Sequence, residues 1–90
     1  MVQYDIEITG RVQGVGFRQF TLHKARQLNV TGWVRNTMDG KVQLVAKGNK
    51  QDLETFIDYL KTGPSMARVE NVSKYQIQKL DDFTEFKVKG

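Results

Sequence analysis

The sequence predicts an α+β domain: an antiparallel sheet with two helices on one face, in the order βαββαβ, with a short extra strand at the C-terminus. Three observations predict it. Hydrophobic residues alternate with period two at the start of the chain. Two later stretches change to helical spacing. The segment between those stretches carries a hairpin signal at Asp39-Gly40. Ninety residues suit one domain, residues 1–90, and nine aromatics among them are enough to seed its core.

Val2 to Thr9 alternates strictly, with Val2, Tyr4, Ile6 and Ile8 on one side and Gln3, Asp5, Glu7 and Thr9 on the other. That is a half-buried strand. Gly10 to Gly16 reads as a loop with three glycines. From Phe17 the period changes, and Phe17, Phe20, Ala25 and Leu28 form one stripe of a first helix. Asn29 suits the left-handed conformation that ends it. Val30–Arg35 is a second strand, Asn36–Gly40 a turn, and Lys41–Lys47 the return strand, with Val42, Leu44 and Ala46 on its core side. Asn49 can cap a second helix, with Asp52 at its third position. Leu53, Phe56, Ile57 and Leu60 follow the i, i+3, i+4, i+7 pattern of a buried helix face, and Thr62-Gly63-Pro64 stops it. After a loop to about Arg68, Val72–Lys79 reads as a strand with Tyr75 and Ile77 inward. Phe86 and Val88 mark the last short strand.

This order is that of a split-βαβ, ferredoxin-like sandwich. In it the first two strands are parallel, with the third between them. Their carboxyl ends then open on one edge of the sheet, about 10 Å apart. The Gly10–Gly16 loop, the start of the first helix and Asn36 all meet at that edge.

Composition narrows the chemistry. The chain has no cysteine, which excludes a disulfide scaffold, a thiolate nucleophile, a Cys-ligated zinc and an iron–sulfur cluster. It has one histidine, His23, so a multi-histidine metal site is excluded too. His23 falls about a turn and a half beyond Arg18, too far along the helix for a base at the loop, and reads as solvent-facing. Apolar runs are a few residues long, so no transmembrane span is expected. The alternation begins at Val2 without a signal peptide, which points to the cytoplasm. The net charge of +4 decides little, because the basic residues are scattered. Lys41, Lys47, Lys50, Lys87 and Lys89 read as solvated charges, and Trp33 as core or edge packing.

The stretch Gly10-Arg11-Val12-Gln13-Gly14-Val15-Gly16-Phe17-Arg18 carries the chemistry. Its glycines let the backbone curl so that successive N–H groups point inward as an anion nest. The helix that follows adds its unpaired N–H groups and its positive end. Arg18, in the first turn, adds a planar fork matched to two phosphate oxygens. Phe17 faces the core and anchors the loop. Neither a Walker A loop nor a dinucleotide fingerprint is present, since no Gly-Lys-Ser/Thr occurs and position 19 is glutamine. Taken alone, the stretch could equally be a plain strand-to-helix connection, and Asn36 a turn residue satisfying local backbone groups.

Two long motifs in sequence order separate these readings. The first is Gly10, any residue, Val12-Gln13-Gly14-Val15, any residue, Phe17-Arg18, with Ile8 two places ahead. The second is Gly32-Trp33-Val34-Arg35-Asn36, then Gly40, Val42 and Gly48. Together they resemble the two signatures of the acylphosphatase family, and Gly63-Pro64 with Ala67-Arg68-Val69 resembles the family's loop after the second helix. The resemblance covers essentially the whole chain. It implies an enzyme that hydrolyses carboxyl–phosphate anhydrides to carboxylate and inorganic phosphate, with no metal, no cofactor and no phosphoenzyme. It implies that the backbone of Arg11, Val12, Gln13, Gly14, Val15, Gly16, Phe17 and Arg18, together with the Arg18 side chain, binds the phosphoryl group, and that Asn36 positions the attacking water. The expected partner is a small acyl phosphate, with no nucleic acid and no membrane, and the expected state is a monomer.

The departures from the family pattern are few. Asn29 stands where many members have glycine, and Gln43–Lys47 lacks an acidic residue common there. The sequence does not place the C-terminal carboxylate of Gly90. A single-stranded RNA-binding module shares the element order. It would need stacking aromatics on the open face of its first and third strands, whereas here the third strand has none and Tyr4 lies on the apolar side. A regulatory domain of the same type without turnover is a third reading, disfavoured because Arg18 and Asn36 are both present.

Overall fold

Strand β1 (Val2–Arg11) puts Tyr4, Ile6 and Ile8 into the core, as its alternation requires, and both isoleucines are fully buried. It runs two residues further than expected, so the following loop is shorter. Next come α1 (Phe17–Gln27), β2 (Thr31–Asn36), β3 (Val42–Gly48), α2 (Lys50–Thr62), β4 (Arg68–Gln76) and β5 (Phe86–Val88). The structure, a computed structural model, describes residues 1–89, and the Gly90 carboxylate lies outside the described residues. Among the described residues no helix is long and apolar enough to cross a membrane.

The sheet order is β4-β1-β3-β2-β5. β3 lies between β1 and β2 and is antiparallel to both, so β1 and β2 are parallel and their carboxyl ends share an edge. β4 adds antiparallel to β1, whereas β5 adds parallel to β2, which makes the sheet mixed. Both helices cover one face. Leu53, Phe56, Ile57 and Leu60 of α2 join Phe17 and Ala25 of α1 in one cluster with the inward residues of the strands. Within it Phe56 meets Phe86 of β5 edge to face, with ring centroids 6.0 Å apart.

Local signals hold at the helix ends. Asn49 caps α2, its side chain accepting the Asp52 N–H at 2.8 Å. Asn29 adopts φ 56° just beyond α1, so asparagine serves there as glycine would. The hairpin is wider than a two-residue turn: Asn36 pairs with Val42, leaving residues 37–41 as the loop.

Three expectations are corrected. β4 begins four residues earlier than expected, and Tyr75 is 75% exposed. Its partner across the ladder is Asp5, on the open side of the sheet, while Val72 pairs with Ile8 on the helix side. An irregularity at Thr9/Gly10 lets Val69 also pack against the core, which a strict two-residue period from Val72 would forbid. Gln3, expected on the solvent face, is fully buried. Its Nε2 donates to Asp81 Oδ2 and its Oε1 accepts the Asp81 N–H, both at 2.8 Å, so the segment before β5 folds over that end of the open face. Lys47 donates to the Asp81 carbonyl at 2.7 Å and is not simply a solvated charge.

Gly32 of β2 has φ 139° and lies so close to β3 that a methyl group there would overlap the Val45 carbonyl. Gly32→Ala is therefore expected to cost at least about 2 kcal/mol in urea unfolding. Gly48→Ala is the control: a methyl there meets Val30 and Leu53 at 3.6 and 3.7 Å, ordinary contact distances, and should cost under about 1 kcal/mol.

Candidate functional site

β1 ends at Arg11, which pairs with Arg68 and is still part of the ladder. The chain then curls through Val12–Gly16 into α1. Gly14 and Gly16 have φ 72° and 80°, a conformation that side chains resist, and they bracket the turn of the loop. Two apolar anchors pin this loop: Val12 and Phe17 are each 1% exposed. Gly63, which ends α2, lies so close to the Phe17 ring that any side chain there would collide with it. The second helix thus buttresses the start of the first.

The open end of α1 gives the loop its character. Its N-cap is Gly16, no side chain caps it, and its first turn holds no acidic residue. α2 differs on both counts, with the Asn49 cap and Asp52 in its first turn. The positive end of the α1 dipole is therefore left without a carboxylate from its own helix, next to the backbone curl at Gly14 and Gly16.

Asn36 is the last residue of β2 and faces this loop. A cavity of about 190 Å³ lies between them, lined by Val12, Gly14, Gly16, Phe17 and Arg18 on one side and by Asn36 on the other. Five of the eight expected loop residues line it. Arg11 sits in the strand, Val15 packs partly against the core, and Gln13 points elsewhere. Gln19 and Val88 complete the wall. Neither carries a sequence signal for this role: Gln19 follows from the pitch of α1, and Val88 from the parallel pairing of β5 with β2. His23 is exposed on α1 and does not line the cavity.

The Asn36 Oδ1 is buried and has no hydrogen-bond partner among the described residues. An unmet buried acceptor costs about 1–3 kcal/mol, so the amide is suited to receive a donor such as a water. Asn36 also borders a second, wider groove of about 550 Å³ on the open face of the sheet, with Trp33, Arg35, Gln43 and Lys89. There Arg35 donates to Gln43 Oε1 at 2.7 and 3.0 Å, and the Lys89 ammonium lies 4.2 Å from the Trp33 ring centroid. Trp33 therefore packs on the sheet's outer face, and Lys89 is tied to it.

The hairpin carrying Asn36 is braced internally. The Lys41 N–H donates to the Thr37 hydroxyl oxygen at 3.0 Å, and the Thr37 hydroxyl donates to the Asp39 carboxylate. Lys41 bridges Glu7 at 3.2 Å and Asp39 at 3.5 Å. The Thr37 hydroxyl, and with it the charge of Lys41, holds the Asp39 carboxyl below its ordinary range. The hydrogen bond to Glu7 and the two nearby carboxylates raise the Lys41 ammonium above its own. Among the described residues no group of three or more His, Cys, Asp or Glu is placed to hold a metal ion.

The site thus brings a curled backbone, the Arg18 side chain and a buried amide oxygen around one small space. That arrangement can bind a tetrahedral oxyanion and present a water to it. Known proteins resemble the chain over nearly its whole length. The family model described as Acylphosphatase matches residues 4–88. An acylphosphatase from Salinibacter ruber is 52% identical over 82 residues, covering 91% of this chain and 86% of that protein. The crystal structure of acylphosphatase from Bacillus subtilis superposes with a TM-score of 0.97 at 36% identity, over 100% of both chains. The structure of an acylphosphatase from Coxiella burnetii does so with a TM-score of 0.93 at 36% identity, over 98% of this chain and 92% of that one.

Because the Asp39 carboxyl is held below its ordinary range, it stabilises the folded chain above the unfolded-state pKa, and that contribution is lost as pH falls through the folded value. The group is exposed, so the effect is small. Asp39→Asn should melt slightly below the unsubstituted protein at neutral pH, and the gap should close in acid. A gap independent of pH in thermal melts would contradict this.

Proposed function

The chain belongs to the acylphosphatase family, and from that premise we propose that it hydrolyses acyl phosphates by direct, metal-free attack of a water that Asn36 positions. The phosphoryl group is held by Arg18 and by the backbone of Arg11, Val12, Gln13, Gly14, Val15, Gly16 and Phe17. The observation that carries this reading is the convergence of the Gly14–Gly16 curl, Arg18 and the buried Asn36 amide on one cavity.

In the proposed reaction the phosphoryl oxygens take N–H groups of the loop and the Arg18 fork, each charge-assisted bond supplying roughly 1.5–3 kcal/mol. The Asn36 carbonyl accepts a hydrogen bond from the water and aims its lone pair at phosphorus. The new P–O bond forms as the bond to the acyl oxygen breaks, and the carboxylate leaves with the electron pair. The water's proton passes to a phosphoryl oxygen. A carboxylate is a good leaving group and needs little acid assistance. Positioning and electrostatics then suffice, as is general for phosphoryl transfer. The loop and Asn36 come from one chain, so a monomer of residues 1–90 completes the site.

The purified protein should release phosphate from benzoyl phosphate or acetyl phosphate in the presence of a chelator. No turnover, or turnover lost on chelation, would overturn the metal-free reading. Asn36→Ala should lower kcat by at least roughly 10²-fold while inorganic phosphate still inhibits competitively. Arg18→Ala should weaken phosphate inhibition itself by about tenfold or more, the equivalent of one charge-assisted hydrogen bond. If Arg18→Ala changes kcat alone, the arginine does not hold the phosphoryl group in the ground state.

A further inference from the structure

The backbone of Gln13 lies in the loop, but its side chain leaves it. Nε2 donates to the Thr37 carbonyl and to the Lys41 carbonyl, both at 2.8 Å. Both neighbours are carbonyl oxygens, so the nitrogen must face them, and the two hydrogens of one planar amide are both engaged. Thr37 directly follows Asn36, and Lys41 directly precedes Val42, the ladder partner of Asn36. One side chain therefore grips both arms of the hairpin at its neck.

We propose that Gln13 is a positioning residue for Asn36: its amide sets the distance between the loop that holds the phosphoryl group and the asparagine that aims the water. The proposal rests on the function argued above for that site. Two features of the structure favour it over simple packing. The hairpin loop is braced within itself by Thr37, Asp39 and Lys41, so the Gln13 bonds are not needed to form the turn. They join two segments 24 and 28 residues apart that otherwise meet across the cavity. The chemistry is also particular to glutamine. Glutamate would set a carboxylate against two carbonyl oxygens, asparagine is one methylene short, and methionine fills the space with no donor.

The test separates the water side of the site from the phosphate side. Orthovanadate adopts the five-coordinate shape of the transferring phosphoryl group, so its binding senses a group that holds the apical oxygen, whereas inorganic phosphate senses the nest. Binding of both is measured by calorimetry on the full chain, in the unsubstituted protein, Gln13→Met, Asn36→Ala and the double variant, which avoids reliance on residual turnover. Gln13→Met should weaken vanadate by about tenfold or more and phosphate by less than about threefold, since a displacement near 1 Å has effects of that order or larger. In the Asn36→Ala background the vanadate loss from Gln13→Met should vanish.

Equal losses for vanadate and phosphate would mean that Gln13 shapes the nest, and a vanadate loss that persists without Asn36 would mean that it acts through another group. Either result overturns the proposal and leaves the proposed function standing. Asn36→Ala that binds vanadate as tightly as the unsubstituted protein would remove the asparagine's role, and Gln13's with it. If Gln13→Met is recovered unfolded, Gln13→Asn, whose amide falls short of both carbonyls, carries the same comparison.

Discussion

The insertion of β3 between β1 and β2 is the constraint on which the site depends. Because β3 is antiparallel to both neighbours, β1 and β2 run the same way and release the chain at the same edge of the sheet. One release becomes the curled loop leading to α1, and the other delivers Asn36. Neither segment could form the site from another edge. The pairing is held close at Gly32, where only hydrogen fits against the Val45 carbonyl, and closed inside by Val34, Val42 and Leu44, all fully buried. The second signature motif spans this pairing, so the same residues secure β2 against β3 and place the asparagine at its end.

The two helices divide the remaining work. α2 is a finished element, with its first turn closed by Asn49 and Asp52 and its apolar stripe wholly inside. It packs the core and, through Gly63, backs the Phe17 ring. α1 is left open at its N-terminus. A glycine in place of a side-chain cap surrenders only about a few tenths of a kcal/mol of helix stability, and here the anchoring of Val12 and Phe17 offsets that cost. The same end in an ordinary helix would be closed by serine or aspartate. Glycine there leaves the first N–H groups of α1 without a side-chain cap and sets no carboxylate against them.

Local physics made much of this legible in the sequence. Alternation fixed the inward side of β1, helical spacing fixed the core stripe of α2, and the asparagine at position 49 announced its cap. Arg18 and Asn36 could be named because loop chemistry, element order and two long motifs agreed. What remained hidden depends on partners far along the chain. The burial of Gln3 is set by Asp81, 78 residues away, and nothing in the alternation of β1 distinguishes Gln3 from Asp5. The inward side of β4 turns on an irregularity opposite Gly10, which shifts the pairing by a residue. Gln13 belonged to the loop by sequence, yet only the fold shows its side chain reaching the hairpin. Lys89 looked like a solvated charge until β5 brought it over Trp33.

The chain's limited chemical equipment is consistent with this architecture. Among the described residues that line the cavity there is no carboxylate, hydroxyl, cysteine or histidine side chain. In the proposed reaction the site acts by holding two reactants in the right relation, and holding is a property of the frame more than of any single functional group. The polar groups that line the cavity are few: a backbone curl, Arg18, and the amides of Gln19 and Asn36. The groups that fix where those few stand are spread over β3, the end of α2 and the hairpin. A mechanism that draws on position transfers its demands to such residues, and for this fold the most exacting place is the short span between the loop and the hairpin, where a single glutamine amide is bonded to both strands of the turn.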